Sequence, residues 1–365
     1  MRPTTLKPTL MTLMTLMTFH TLISPTHIAY ADTQSETAAA QILRAKLSND
    51  DPEALKALDK LSDKDIIVIA GSMDHIEQIL AAAGMKYALI PPERVAALDL
   101  NADQIVMVNC PGNMPEEGVK RLERFVRAGG LLYTTDWALK NVIERAFPEM
   151  IKHNGHSTGD HVTPVNIKQI HHNLMSDILL RAGDQPQWWL EGGSYPIEVL
   201  NKRVEILAES AEMKTRYGAA PVVVKFPWHD GEVIHVVSHF YRQVKTQGSA
   251  VTAQAGVKEL GGLTESQKSQ IAAAPAAAKV SMGDVASSYA FQRMTSNIVA
   301  GKQKQKAALD AQYKHRAKKK VRLGEREVEA GERLKVLRTE RGVAIVRDDR
   351  GNEGRVSLEV IEGRQ

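Results

Sequence analysis

Hydrophobic residues in the first two thirds of the chain follow two alternating patterns. Short unbroken apolar runs, typical of buried strands, occur in DIIVIAG, KYALIPP, DQIVMVN and LLYTT. Between them, MDHIEQILAAAG and EEGVKRLERFVRAGG carry apolar residues at helical spacing and end at glycine. Buried strands that alternate with helices predict a mostly parallel sheet covered on both faces. The expected fold class is therefore α/β, with this domain spanning residues 63–300.

The segments on either side of this domain have different patterns. Residues 32–62 predict a polar lead with two short helices, AAAQILRAKL and DPEALKALDKL. Residues 281–311 predict a helix that packs back onto the first domain. Residues 301–320, rich in Lys, Gln and Ala, predict a solvated basic linker that a protease would reach. Residues 321–365 predict a small β-barrel of short strands and turns that folds as a separate module.

Residues 1–31 have the order of a secretory signal. Arg2 and Lys7 precede a Leu/Met/Thr run, and Ala29 and Ala31 frame a small-x-small triplet before Asp32. The alternative, an uncleaved anchor, is disfavoured because the run is shorter than the roughly 20 apolar residues of a membrane span and is interrupted by threonine. We therefore expect a periplasmic or secreted mature chain that begins at Asp32 and has no stable membrane span.

Charge and cysteine content narrow the function classes. The formal charge is +4, and loss of Arg2 and Lys7 with the signal lowers it to +2, which gives no sign of nucleic-acid binding. The basic run HRAKKKVR is interpreted as a solvated linker end. Because the chain has one cysteine, Cys110, it cannot form an intramolecular disulfide, and its core must be held by burial.

The order of DQIVMVNCPG, RLERFVRAGGLLYTTDW and GEVIHVVSHFYRQ resembles the class I glutamine amidotransferase-like superfamily, and within it the exported, ThuA-like branch. The resemblance covers about residues 65–243 and the helix near Ile298. It implies a flavodoxin-like, doubly wound sheet, with a nucleophilic cysteine on a sharp strand-to-helix elbow and a histidine base. The C-terminal module resembles SH3-like domains. Since it lacks Trp, Tyr and Phe, we do not expect it to bind ligands through an aromatic groove.

The match departs from the family at the residues that carry catalysis. The glycine-rich loop falls on residues 109–112, the elbow on Asp136 and the base on His239. Asp136 thus stands where the family has its cysteine, and Tyr241 stands where an acidic partner is expected. Cys110 lies one strand too early and precedes a wide Pro-Gly loop rather than a helix N-terminus, so we interpret it as a small buried residue. The resemblance therefore implies a pseudoenzyme.

Polar residues nevertheless follow several predicted strands. In doubly wound sheets, ligands bind at the C-terminal edge of the strands, so we expect these side chains to converge there. The candidate catalytic residues are Asp136, His239 and Cys110, and the candidate ligand-binding residues are Ser72, Glu191, Ser194 and Tyr195. An Asp–His pair in such a crevice could do acid–base work or bind a ligand. The alternative is a relic pocket whose polar groups satisfy only one another.

A histidine-rich segment raises the question of a metal. It contains His153, His156, His161, His171 and His172, together with Asp160. Their spacing matches no compact zinc pattern, which favours a solvated loop with hydrogen-bonded histidines. We accordingly expect neither a metal nor a cofactor.

These observations favour an exported, non-catalytic binding or scaffolding protein of the cell envelope, with an envelope protein or a glycan as its partner. The alternative is a hydrolase or amidase that acts through Asp136 and His239, with Cys110 nearby. The missing elbow cysteine decides between them in favour of the first.

Overall fold

The structure is a computed structural model that describes residues 33–239 and 251–363. The predicted signal sequence and Tyr241 lie outside these ranges. Clustering of contacts places all of the described residues in one unit. None of their helices combines the length and the apolar character needed to cross a bilayer.

Within the described residues, twelve strands belong to the larger, N-terminal part. They are β1 (Ile66–Ile69), β2 (Ala88–Ile90), β3 (Ile105–Val108), β4 (Leu131–Thr135), β5 (Ile151–His153), β6 (His161–Pro164), β7 (Asn166–Ile167), β8 (Gln187–Leu190), β9 (Ile197–Val199), β10 (Glu205–Glu209), β11 (Pro221–Trp228) and β12 (Gly231–Val236). Eight of them form one sheet in the order β2-β1-β3-β4-β12-β11-β10-β7. The first five pair in parallel and the last three are added antiparallel, so the sheet is mixed.

Ten α-helices accompany these strands in the part of the chain that the structure describes. They are α1 (Thr33–Asp50), α2 (Pro52–Asp59), α3 (Ile76–Ala82), α4 (Glu116–Arg127), α5 (Glu144–Ala146), α6 (Ala211–Tyr217), α7 (Ala253–Gly256), α8 (Glu265–Ala273), α9 (Pro275–Ala278) and α10 (Met282–Gln312). The predicted α/β class is confirmed: β1, β3 and β4 are buried along their whole length, as their apolar runs require.

Helix α4 shows how sequence positions these layers. It buries Val119, Leu122 and Phe125 on one face, with glutamates in its first turn and arginines in its last. The apolar face packs onto the sheet, and the charges complement the helix dipole at both ends.

The polar lead expected over residues 32–62 is part of the main core. It forms α1 and α2, and α1 fully buries Ile42, Leu43 and Leu47 in the same hydrophobic cluster as the sheet. Alanines at positions 38 and 39 are also fully buried, on a helix that packs against α10. The lead is therefore a structural layer rather than a polar extension.

The C-terminal part forms separate antiparallel sheets. Its strands are β13 (His315–Ala317), β14 (Val321–Leu323), β15 (Arg326–Val328), β16 (Arg333–Glu340), β17 (Val343–Asp348), β18 (Glu353–Ser357) and β19 (Ile361–Gly363). Five strands form one sheet in the order β18-β17-β16-β13-β19, and β14 and β15 form a hairpin. Leu323, Leu334 and Val346 are fully buried in a hydrophobic cluster separate from the main core.

The linker expected over residues 301–320 is regular structure, which corrects that boundary. Helix α10 continues through Gln312, and β13 begins at His315 as a strand of the C-terminal sheet. The lysines that suggested solvation have partners: Lys302 Nζ donates to the Gly129 carbonyl at 2.8 Å, and Lys306 Nζ lies 2.9 Å from Asp65 Oδ1. Both contacts join segments that are far apart in the sequence. The lysine content alone could not reveal them and therefore suggested solvent exposure.

One arginine joins the C-terminal sheet to the α/β part. Arg333 is 3% exposed and donates two hydrogen bonds to Asp103, at 2.6 and 2.8 Å. Its Nε donates to Asp310 Oδ1 on α10 at 2.9 Å. A bidentate pair of this kind fixes orientation as well as adding attraction. The two hydrophobic clusters are thus separate, but Arg333 joins the C-terminal sheet to the α/β part through Asp103 and Asp310.

We predict that Arg333→Met loosens the docking of the C-terminal sheet, because truncation removes the buried guanidinium that Asp103 and Asp310 share, although Arg316 still lies 2.6 Å from Asp310 and 3.9 Å from Asp103. Loss of one partner from a buried pair costs about 3 kcal/mol or more. Limited trypsin digestion should cut faster between residues 314 and 320 than in the wild type. Arg338→Met is the matched control, since Arg338 lies on the same strand with 66% of its side chain exposed. Equal cleavage of all three proteins would contradict the docking role.

Candidate functional site

Three chemically distinct side chains meet at one edge of the sheet. Cys110 follows β3, Asp136 follows β4 and His239 follows β12, and the parallel strands bring these ends to the same edge. One ligand atom from each residue lies within 4.8 Å of the others, and all three residues are buried. The predicted convergence of these strand ends is therefore present in the structure.

Asp136 lies at a sharp turn between β4 and a π-helical turn at Leu139–Ile143. Its φ of +41° is in the left-handed region, which few residues other than glycine adopt, and its N–H donates to the Val236 carbonyl at 2.9 Å. The chain thus has a strained strand-to-helix elbow, with a carboxylate where a nucleophilic thiol was expected from the resemblance.

The Asp136 carboxylate is engaged on both oxygens. Oδ1 accepts the Tyr195 N–H at 2.8 Å, and Oδ2 accepts the Ser194 hydroxyl at 2.9 Å. Oδ2 also lies 3.1 Å from His239 Nε2. Since Asp136 is only 1% exposed, these partners take the place of solvent. Ser194 and Tyr195, both predicted ligand-binding residues, hold Asp136 through a hydroxyl and a backbone N–H.

His239 lies between two carboxylates. Its Nδ1 is 2.8 Å from Glu191 Oε2, opposite the contact with Asp136. Burial lowers the pKa of His239, but hydrogen bonds with Asp136, Cys110 and Glu191 outweigh it, and the pKa is raised well above its ordinary value. Carboxylates on both sides of the ring therefore favour its protonated form. Glu191, with 22% of its side chain exposed, is the most accessible member of this cluster.

Cys110 lies beneath this pair. Its N–H donates to Thr135 Oγ1 at 3.0 Å, its carbonyl accepts the Met73 N–H at 3.2 Å, and the residue is 1% exposed. Burial raises the pKa of the thiol, and the Asp136 charge adds to this, whereas the hydrogen bond to His239 opposes it. The thiol thus lies beside His239 but has little access to solvent.

The remaining sequence candidates lie apart from this cluster. Ser72 is exposed at the same sheet edge. The histidines of the 153–172 segment have separate neighbours: His153 stacks on Tyr195, His161 lies 3.4 Å from Glu212, and His172 lies 3.7 Å from Glu205. Within residues 33–239 and 251–363, the group with metal-ligand geometry is the one formed by Cys110, Asp136 and His239.

Two features of the site were missed from the sequence. Tyr195 is stacked between Trp137, at 5.5 Å, and His153, at 4.2 Å, beside the elbow. Asn109, fully buried, accepts the Ile76 N–H at 3.1 Å and donates to Glu77 Oε2 at 2.8 Å. The sequence signal for these hydrogen bonds of Asn109 was a polar residue at the end of an apolar strand.

No protein-family model and no curated protein matches the sequence. Among solved structures, the chain is similar to a putative ThuA-like protein from Bacteroides uniformis ATCC 8492 (12% identity, TM-score 0.33, covering 49% of this chain and 84% of that one). It is also similar to a cytoplasmic protein from Salmonella typhimurium (10% identity, TM-score 0.36, covering 57% of this chain and 96% of that one). A third similar structure is a β-galactosidase from Bacillus circulans sp. alkalophilus (15% identity, TM-score 0.35, covering 51% of this chain and 30% of that one). The chain thus spans less than a third of that galactosidase. The fold is of the α/β class, with a mixed eight-stranded sheet and separate antiparallel C-terminal sheets.

We predict that Cys110 reacts slowly with thiol reagents in the native chain. Burial and the raised pKa both reduce the thiolate available at neutral pH. Labelling with a chromogenic disulfide should be at least about a hundredfold slower than in denaturant, where the thiol returns to its ordinary pKa. Equally fast labelling of native and denatured protein would contradict the burial argument.

Proposed function

We propose that this protein is an exported, non-catalytic binding or scaffolding protein of the cell envelope. In this proposal it is built on a degenerate, flavodoxin-like amidotransferase domain followed by an SH3-like module. The observation that carries the proposal is the state of Asp136, which occupies the elbow with both carboxylate oxygens engaged by Tyr195, Ser194 and His239.

An elbow serves catalysis by presenting a reactive atom to substrate, with a base beside it. Here the elbow side chain is 1% exposed, and its neighbour His239 lies between two carboxylates that favour its protonated form, which makes it a poorer proton acceptor. A carboxylate also cannot form the thioester of an amidotransferase. The network therefore favours a structural role for the elbow.

The remaining parts of the proposal rest on the sequence. The order of Arg2, Lys7, the apolar run and the Ala29–Ala31 triplet supports export and cleavage before Asp32. In this proposal the partner is an envelope protein or a glycan, and it is not bound through an aromatic groove, because residues 321–365 lack Trp, Tyr and Phe. N-terminal sequencing of exported protein should return Asp32 as the first residue, and recovery of Met1 would remove export from the proposal.

A thiol-dependent hydrolase is the second candidate function, and one observation favours it. Cys110, His239 and Glu191 have the order of nucleophile, base and orienting carboxylate, because His239 interacts with both of the other residues. The burial of Cys110 and its raised pKa oppose this function.

Assays of ammonia release from glutamine and of p-nitrophenyl ester cleavage distinguish the two candidates. For the non-catalytic role, we expect wild type and Cys110→Ser to release product at the same rate as buffer alone. Turnover above background that Cys110→Ser abolishes, while its thermal unfolding matches the wild type, would replace this proposal with the hydrolase.

A further inference from the structure

The potential ligand atoms of Cys110, Asp136 and His239 are spaced like the ligands of a metal site. One ligand atom from each residue lies within 4.8 Å of the others, and Asp136 Oδ2 is 3.1 Å from His239 Nε2. A tetrahedral zinc ion with bonds of about 2.0–2.2 Å holds its nitrogen and oxygen ligands roughly 3.3 Å apart. The observed spacing is therefore close to that of two ligands on one ion.

We propose that Cys110 Sγ, Asp136 Oδ2 and His239 Nε2 form a three-residue site for Zn²⁺. The thiol proton of Cys110 and the Nε2 proton of His239 leave to solvent as the two bonds to the metal form, and the Nδ1 proton of His239 is retained. Thiolate and imidazole ligands select zinc over magnesium and calcium, which prefer sites made of oxygen.

The residues around the three ligands have the arrangement that supports a metal centre. Glu191 Oε2 lies 2.8 Å from His239 Nδ1, where a carboxylate fixes the ring orientation of a metal-bound histidine. The Ser194 hydroxyl and the Tyr195 N–H hold the Asp136 carboxylate in place. Because these supports are present in the folded chain, the ligands need little rearrangement around the ion.

A zinc site would name a ligand for the cluster of Cys110, Asp136 and His239, and so deepens the proposed binding function. It rests on that proposal in one respect, which is that the elbow is taken to be non-catalytic. In the metal-bound state, Cys110, Asp136 and His239 would each be bonded directly to zinc. Since metal that binds the folded state alone stabilises that state, zinc should also raise the unfolding temperature.

The test is titration of the mature chain, stripped with chelator, with Co²⁺ as a spectroscopic probe for zinc. We expect one equivalent of Co²⁺ to produce a thiolate-to-cobalt charge-transfer band, which stoichiometric Zn²⁺ then removes. Cys110→Ser should abolish the band, His239→Gln should weaken binding by at least about 100-fold, and Glu191→Gln should weaken it about tenfold. His171→Gln, at an exposed histidine outside the cluster, should bind like the wild type.

A second readout covers variants that fold poorly. Zinc should raise the unfolding temperature of the wild type and of His171→Gln, but not that of Cys110→Ser. A wild type that shows neither the charge-transfer band nor a zinc-dependent shift would overturn the site. A band that survives in Cys110→Ser would also overturn it. Neither outcome touches the non-catalytic proposal, which the product-release assays test separately.

Discussion

Asp136→Ala is expected to be the most destabilising single change at the site. It removes the acceptor for the Ser194 hydroxyl and the Tyr195 N–H and leaves His239 buried with one carboxylate instead of two. Breaking a buried ion pair by removing one partner costs about 3–5 kcal/mol. Alanine also tolerates the positive φ at this position less well than aspartate.

Chemical denaturation measures this loss as a change in the free energy of unfolding. Asp99→Ala is the matched control, because the Asp99 side chain is fully exposed and lies 4.0 Å from its nearest arginine, Arg121. That control should change stability by no more than about 0.5 kcal/mol. If Asp136→Ala were as mild as Asp99→Ala, the elbow carboxylate would not hold the network together.

Gly71→Ala is expected to have the next largest effect, because the backbone there passes against the Cys110 loop. An added Cβ would lie 2.2 Å from the Cys110 carbonyl oxygen and 2.6 Å from the Asn109 Cβ. Both neighbours belong to a buried strand end, so relief requires a backbone shift, and overpacking of this kind costs about 3 kcal/mol.

The control for this substitution is Gly261→Ala, where an added Cβ would meet nothing within 4 Å. Thermal unfolding should show a drop of several degrees for Gly71→Ala and little change for Gly261→Ala. Because the shift would move the Cys110 carbonyl, Cys110 in the Gly71→Ala protein should also label faster with thiol reagents. An unfolding temperature unchanged by Gly71→Ala would contradict the close approach of Gly71 to Asn109 and Cys110.

The fold was predictable where burial leaves a local pattern. Each of the runs IIVI, IVMV and LLYTT is a fully buried strand, and the helix between the last two carries its apolar residues on one face. The helix predicted over residues 281–311 corresponds to α10, Met282–Gln312. The contacts of its C-terminal part were not predictable, since Lys302 and Lys306 look like solvated residues until Gly129 and Asp65 are placed beside them.

The site was predictable to the level of which strand ends meet. The rule that parallel strands present their C-terminal ends at one edge placed Cys110, Asp136 and His239 together. It could not show that Ser194 and Glu191, more than 50 residues from the elbow in sequence, would contact Asp136 and His239. That outcome depends on tertiary geometry, which no local pattern encodes.

A double-mutant cycle between Asp136 and His239 tests the structural role of the elbow most directly. The cycle compares the free energies of unfolding of the wild type, Asp136→Asn, His239→Gln and the double variant, all in chelator so that no metal contributes. A coupling energy of about 2–3 kcal/mol is expected, the upper range for residues of one buried network. A coupling energy near zero would contradict the account, because the two side chains would then be no more than neighbours.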